Sequence, residues 1–315
     1  MIDISIIIVS YNTKKLTLKC LRSVYEQTNG ISFEVIVVDN NSTDNSAESI
    51  SEYYPDCILI PLKENIGFAR ANNLAAKGAS GDYLLLLNPD TIVMDGAIQR
   101  LLDFAQKNPD NLIYGGRTLY ADLSLNPTSC WRRPTLWSLF CYAVGLTSIF
   151  RRNALLDPES YGAWPRDTVR IVDIVTGCFL LIDKKFWDCL GGFDPQFFMY
   201  GEDADLCLRA AAKGAKPVIT PDATIIHYCG ASETVRADKM IRLFRAKGQL
   251  MNRHWNPVSK CIGLSLLKFS VLSRAVACQC LVPFMPGTPS KNAESWKEIW
   301  RRRKEWQTFP VNSGD

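Results

Sequence analysis

The sequence predicts an α/β fold with a mostly parallel central sheet and flanking helices, and three observations carry that expectation. Continuous β-branched or leucine-rich runs recur through the first 95 residues, stretches of helical periodicity separate them, and several runs end in Asn, Asp and Ser. Ile4–Val9 opens as a strand buried on both faces. Lys14–Gln27 follows as a helix, with Leu18, Leu21, Val24 and Tyr25 on one stripe and Thr13 placed to cap it. Glu34–Asp39 closes a β-α-β unit, and Cys57–Pro61 and Tyr83–Leu87 add two strands. Asn72–Lys77 before Gly78, and Gly96–Gln106 before Asn108-Pro109, read as helices with stop signals. Residues 107–170 are less regular. Ile171–Val175 and Phe179–Ile182 flank Thr176-Gly177-Cys178, Asp203–Lys213 is a helix closed by Gly214, and Lys216–Thr220 and Thr224–His227 complete the block. From Ala231 the chain turns helical and basic, with a frayed end at Pro310–Asp315.

With 315 residues, 47% hydrophobic and 22% charged, the chain can bury a full-sized core, and no repeat period is visible. Met1–Ser10 carries Asp3 where a signal peptide has positive charge and lacks a small-residue cleavage site, which predicts a cytoplasmic protein. Eleven Cys without a C-x-x-C pair, and only two His, fit reduced thiols better than a zinc site or a disulfide framework. Residues 1–235 hold 21 Lys and Arg against 27 Asp and Glu, whereas 236–315 hold 15 against 5. A basic tail of this kind faces nucleic acid, an anionic membrane or simply water.

In an open α/β sheet, ligands bind beyond the carboxyl ends of the strands. Those ends carry Ser10-Tyr11-Asn12, Asp39-Asn40-Asn41-Ser42 and Asn88-Pro89-Asp90. Each cluster alone is equally ordinary turn chemistry. The chain has no G-x-G-x-x-G after the first strand, no G-x-x-x-x-G-K-[ST] and no G-x-S-x-G, which disfavours a dehydrogenase, a P-loop NTPase and an α/β-hydrolase. Acidic strand ends suit a nucleobase or ribose, at Asp39, or a divalent cation carrying a diphosphate, at Asp90. Asp90 also suits a turn ahead of the next helix. Glu202-Asp203-Ala204-Asp205 follows the aromatic run Phe197–Tyr200, so a carboxylate there is desolvated toward general-base use, or merely faces the positive end of a helix. His227 ends a strand and serves chemistry or the core.

Taken in order, Ser10-Tyr11-Asn12, Asp39–Asp44, Asn65–Asn73, Asn88–Thr91, Gly192-Phe193-Asp194 and Gly201–Leu206 resemble glycosyltransferase family 2, and more narrowly its rhamnosyltransferase-like branch. The likeness covers about residues 3–230. It implies a GT-A fold, an inverting mechanism and a nucleotide-diphosphate sugar donor, most naturally dTDP-L-rhamnose, with a UDP or GDP sugar as the alternative. By the same resemblance Ser10, Tyr11 and Asp39 hold the nucleoside, Asn65, Gly67, Phe68 and Asn72 shape the floor beneath it, and Asn12, Asn41 and Asn88 belong to the same nucleotide-sugar site. Asn88-Pro89-Asp90 stands where the family usually has Asp-x-Asp, so Asp90 holds Mg²⁺ or Mn²⁺ with His227 and the donor diphosphate. Asp203 matches the general base, with Glu202 as the alternative. Gln249, Arg253 and Trp255 do not reproduce the Q-x-x-R-W spacing of processive synthases, which predicts transfer of one sugar per encounter. A binding or scaffold protein without turnover is the rival of another class; a nucleotidyltransferase would need a basic, glycine-rich loop near the first strand.

The expected organisation is a GT-A domain over 1–230, with a nucleotide-sugar half (1–106) and an acceptor half (107–230), then a basic helical extension over 231–315. Pro134–Phe150 is uncharged and bracketed by Arg132-Arg133 and Arg151-Arg152. It reads as an interfacial segment with Trp131 and Trp137 near lipid headgroups, or as a core helix. Ile262–Met285 and the Trp296–Trp306 stretch, with Arg301–Lys304, add to a peripheral contact with the inner face of the membrane. No nucleic-acid-binding module is recognisable. The expected acceptor is lipid-linked or polysaccharide, in cell-surface glycan synthesis.

Overall fold

The computed structural model of the chain describes residues 2–151, 153–229, 236–281 and 288–308. Two compact units divide the chain. The first comprises Met1–Arg133, Trp164–Phe198 and Glu202–Ser232; the second comprises Pro134–Ala163, Met199–Gly201 and Glu233–Asp315.

Unit one begins β1 (Ile4–Ser10), α1 (Lys14–Gln27), β2 (Phe33–Asp39), α2 (Ser46–Tyr53), β3 (Ile58–Pro61), α3 (Phe68–Gly78), β4 (Tyr83–Leu87), β5 (Thr91–Val93) and α4 (Ala97–Lys107). It continues with β6 (Ile113–Leu119), β7 (Leu125–Asn126) and β8 (Cys130–Trp131). After α5 (Leu136–Ala143) and α6 (Leu146–Ile149), which belong to unit two, come β9 (Arg170–Ile171), β10 (Ile174–Val175), β11 (Phe179–Asp183), α7 (Lys184–Leu190), α8 (Glu202–Ala212) and β12 (Val218–His227). The large sheet has the order β3-β2-β1-β4-β11-β6-β12-β5, with β7 beside β6 and β9 beside β12. Strands β3, β2, β1 and β4 are parallel, and β11 runs against both β4 and β6.

Register is what builds the site. Ser10 lies opposite Asp39, Asp39 opposite Pro61, and Ile8 opposite Leu87, so β1 to β4 all release their following loops at one edge of the sheet. His227 lies opposite Thr91 on β5, which brings it beside the loop that follows β4. The apolar run of β1 is buried at every position, and it packs with Leu21, Val24, Leu85 and Leu101 in one core.

Several local expectations are corrected. Thr13 does not cap α1 with its side chain; its hydroxyl lies 3.2 Å from that of Ser10 and 3.1 Å from that of Thr17, in a buried hydroxyl cluster. Helix α3 starts at Phe68 rather than Asn72, because the Phe68 N–H donates to the Phe198 carbonyl (2.8 Å). The run 171–175 is not one strand: β9 pairs with β12 while β10 pairs with β8 in a separate two-stranded sheet. The two strands expected over 216–227 are one strand with a register shift between Thr220 and Thr224, where Pro221 offers no N–H to the ladder.

Unit two adds α9 (Arg236–His254), α10 (Pro257–Leu281), α11 (Thr288–Arg301) and α12 (Arg303–Gln307) to α5 and α6. Phe244, Met251, Leu267, Val271, Ile299 and Trp306 form its core with Leu139 of α5. Trp306 is fully buried and donates its indole N–H to the Ile299 carbonyl (3.1 Å); Trp296 and Trp300 pack on the same core. These indoles therefore pack on the unit's own core, and within the stretch Arg301, Arg303 and Lys304 stay exposed. Trp131 is part of β8 and half-buried. In Pro134–Phe150, α5 buries Leu139, Cys141 and Ala143 and leaves Trp137 and Phe140 exposed, as is Val144 at its C-cap. Within α10, Pro257–Gln279 is, among the described residues, the one helix long and apolar enough to cross a membrane, with mean hydropathy 1.6. Residues 310–315 and 282–285 lie outside the described residues.

Candidate active site

The loops after β1 and β2 brace each other. Asn12, in the left-handed region at φ 52°, donates its N–H to Ser42 Oγ (2.9 Å) and accepts from the Thr43 N–H at Oδ1 (2.7 Å). Asp39 is buried; its Oδ2 accepts from the Ser42 N–H (3.0 Å), while Oδ1 is buried with no partner. A carboxylate oxygen left in that state costs stability unless a ligand donates to it. Tyr11 is half-buried and Asn41 exposed at φ 67°. The Ser10 side chain is fully buried in its hydroxyl cluster, within hydrogen-bond distance of Thr13 and Thr17.

Asn40, whose role as a connector the sequence did not reveal, ties the β2 loop to the next motif. Its amide donates to Asn65 Oδ1 (3.0 Å) and its carbonyl accepts from the Ile66 N–H (2.9 Å). Asn65 Oδ1 also accepts from Gly67 N–H (3.0 Å), Asn72 donates to the Phe68 carbonyl, and Asn73 exchanges two hydrogen bonds with the Phe193 backbone. Gly67 has φ +84°, and a Cβ there would meet the Phe198 carbonyl oxygen at 2.5 Å. Gly67→Ala combines a left-handed backbone with a backbone clash, so it is expected to cost at least about 2 kcal/mol. A melting curve of the purified variant checks this, and an unchanged midpoint would contradict it.

Thr176-Gly177-Cys178 is the hub. The Gly177 N–H donates to Asp203 Oδ2 (3.1 Å), the Phe68 ring lies 3.4 Å from where a Gly177 Cβ would stand, and the Cys178 carbonyl accepts from the Asn88 N–H (3.1 Å). Asp203 Oδ1 accepts from the Ala204 N–H (2.7 Å) at the start of α8. Burial raises the Asp203 pKa, and these two amides restrain the rise. Glu202 is buried with Oε2 unpartnered; burial and then the charge of Asp203 hold its pKa well up. Asp205 is engaged elsewhere, in an ion pair with Arg209 (2.7 Å), whose other nitrogens hold the Leu190 and Gly192 carbonyls.

Asp90 and His227 are both buried, with Oδ1 and Nε2 3.3 Å apart and the Asn88 amide 3.5 Å from the same Nε2. Burial opposes a charge on His227, but Cys178 and the hydrogen bond to Asp90 outweigh it and raise the pKa. His227 Nδ1 lies 3.5 Å from Cys229 Sγ. A carboxylate oxygen and an imidazole nitrogen at this separation fit neighbouring positions around an octahedral cation with ligands at about 2.1 Å, once the cation displaces the imidazole proton. Among the described residues no group of three or more His, Cys, Asp and Glu side chains could hold a metal, so a cation at this pair would take its remaining ligands from other oxygens, such as those of a bound substrate or water.

The family model described as Glycosyl transferase family 2 matches residues 5–186. The chain belongs to glycosyl transferase family 2. This family-2 chain is 29% identical over 245 residues to the O-antigen biosynthesis protein RfbC of Myxococcus xanthus, covering 75% of the chain and 18% of that protein. It is 29% identical over 213 residues to the N-acetylglucosaminyl-diphospho-decaprenol L-rhamnosyltransferase of Mycobacterium tuberculosis, covering 62% of the chain and 66% of that enzyme. The rhamnosyltransferase WbbL of Escherichia coli is 26% identical over 71% of the chain and 82% of its own length. The matched region thus spans less than two thirds of the first two relatives. The fold is GT-A: the mannosyltransferase PcManGT of Pyrobaculum calidifontis, solved with GDP-Man and Mn²⁺, superposes over 97% of this chain and 87% of its own, with TM-score 0.56 and 17% identity. TarS 1-349 of S. aureus, solved with UDP, does so over 100% and 95%, with TM-score 0.53 and 14% identity.

Gly177, Asn40 and Phe198 are the site residues that sequence reasoning missed as such. The signal for Gly177 was present, a small polar break between two apolar strands, but nothing in the sequence ties it to Asp203.

Proposed function

We propose that the chain is an inverting, cation-dependent glycosyltransferase that moves L-rhamnose from dTDP-L-rhamnose to a hydroxyl of a lipid-linked or polysaccharide acceptor in cell-surface glycan synthesis. It works at the cytoplasmic face of the membrane. The observation that carries this reading is Asp203, partly desolvated and oriented by the Gly177 N–H, on the same loop that holds Asn88 beside Asp90 and His227. The rhamnosyltransferase relatives named above support the sugar.

In this account Asp39 Oδ1 accepts a hydrogen bond from the nucleoside, on the loop that Asn12 braces, with Tyr11 and Asn41 beside it, while Asn65, Gly67, Phe68 and Asn72 fix the floor. Asp90 and His227 would hold Mg²⁺ or Mn²⁺, and the cation would supply positive charge against the departing diphosphate. Asp203 takes the proton of the acceptor hydroxyl as that oxygen bonds to the anomeric carbon. The carbon's bond to the diphosphate oxygen breaks on the opposite face, and the nucleoside diphosphate leaves with the electron pair. One displacement inverts the anomeric centre. Glu202, buried and with its pKa held up by that burial and by the charge of Asp203, supports the acceptor side.

A thermal-shift panel of nucleotide sugars tests the reading. In Mg²⁺ or Mn²⁺, dTDP-L-rhamnose at a hundred times its Kd is expected to stabilise the fold by about 2.7 kcal/mol. A shift given only by a UDP or GDP sugar overturns the donor assignment, and no shift with any donor overturns the site.

A further inference from the structure

Among the described residues of unit two, two apolar stripes stay uncovered. On α10 the exposed large side chains are Val258, Ile262, Phe269, Leu272 and Val276. At about 100° per residue they fall within roughly 80° of arc and run about 27 Å along the helix. The opposite face, with Leu267, Ser270, Val271 and Ala275, is buried against the unit's own core. On α5, Trp137 and Phe140 are exposed with rings stacked at 5.6 Å, and Val144 at its C-cap is exposed too. Single exposed apolar residues are commonplace, whereas repeated stripes mark an interaction surface.

We propose that the outer faces of α10 and α5 insert into the headgroup boundary of an anionic bilayer, with α10 lying in the membrane plane. The inference deepens the proposed function, since it rests on the reading that the acceptor is presented at a membrane. Charge identifies the partner. Neither α5, α6 nor α10 contains an Asp or Glu, α10 carries Lys260, Lys268 and Arg274, and residues 236–315 hold 15 basic against 5 acidic side chains. Exposed Arg301, Arg303 and Lys304 add to the same sign. A second copy of the chain would bring its own positive charge to the contact, which disfavours self-association there.

Although α10 is long enough to span a membrane, its inner face is committed. Arg274 donates to the Tyr142 carbonyl (2.7 Å), its guanidinium lies 4.4 Å from the Tyr142 ring centre, and α10 packs on α5, α9 and α11. A helix with one stripe on protein and one facing out is amphipathic in the manner of interfacial helices, and Lys268 at the stripe's edge can extend toward lipid phosphates.

Co-sedimentation of the full chain with vesicles of phosphatidylglycerol and phosphatidylcholine tests this. The wild type is expected to bind, less tightly in high salt. Ile262→Glu with Phe269→Glu is expected to lower vesicle affinity at least about tenfold, because binding scales with inserted apolar area, at unchanged melting temperature. Should the Glu pair fail to fold, Ile262→Gln with Phe269→Gln takes its place. A folded variant that binds vesicles like the wild type overturns the proposal, as does a wild-type dimer that the substitutions dissociate without changing vesicle binding. The donor thermal shift separates the two claims: if it persists while vesicle binding is unaffected, the membrane face alone fails; if it is absent while vesicle binding falls as expected, the catalytic reading alone fails.

Discussion

Asp203→Asn is expected to keep donor and acceptor binding while lowering kcat by at least about a hundredfold, the smaller end of what general-base loss costs. The geometry sets that expectation. Asp203 and Glu202 are consecutive on the first turn of α8, so their side chains project about 100° apart and only one can address a given hydroxyl. Asp203 is partly exposed and held at both oxygens by backbone amides, whereas Glu202 is buried. An amide in place of the Asp203 carboxylate preserves shape and removes the proton acceptor. The raised pKa adds a second expectation with a defined sign. The base works only when deprotonated, so the acid limb of kcat/KM should lie above the ordinary aspartate range in the wild type and disappear in the variant. Glu202→Gln should cost less. Near wild-type turnover in Asp203→Asn with a dead Glu202→Gln would exchange the two roles; activity in both would remove this turn from the chemistry.

Asp90→Ala is expected to abolish the dependence of donor binding on Mg²⁺ or Mn²⁺ and to weaken donor binding at least about a hundredfold, since the carboxylate is one of only two protein ligands in the proposed set. The variant keeps the Asp90 backbone carbonyl that accepts from the Tyr228 N–H, but it leaves buried His227 without its carboxylate, so a lower melting temperature is expected as well. Titration calorimetry with and without the cation reads the difference. A folded Asp90→Ala protein that binds donor as well as the wild type in Mg²⁺ removes Asp90 from the role.

How legible the molecule was depends on whether the information is local. The strands Ile4–Ser10, Phe33–Asp39 and Tyr83–Leu87 could be read within a residue or so because burial on both faces demands an unbroken apolar run. Helix α2 escaped because Ser46–Tyr53 buries only Ser46, Ser49 and Ile50 and shows no apolar stripe. Strand β5 escaped because three residues carry no periodicity. The candidate site shows the same division. Asp39, Asp90, Asp203 and His227 were all visible as polar residues at element ends. That the 176–178 loop holds both Asp203 and Asn88, the neighbour of Asp90 and His227, was not, since it depends on the pairing of Leu87 in β4 with Phe179 in β11, far apart in sequence. The packing of the α11 and α12 tryptophans on the core was not legible for the converse reason. Basic residues interleaved with Trp look the same on a membrane face and on a helix packed by one side, and only the partner helix α9 decides between them.

The most direct measurement of the central claim is the anomeric configuration of the product formed from dTDP-L-rhamnose and a polyprenyl-diphosphate sugar acceptor, determined by NMR. Single displacement with Asp203 as base predicts a rhamnoside whose configuration is opposite to that of the donor, formed by the wild type and lost in Asp203→Asn. A product of retained configuration, or one made equally well by Asp203→Asn, would contradict the account.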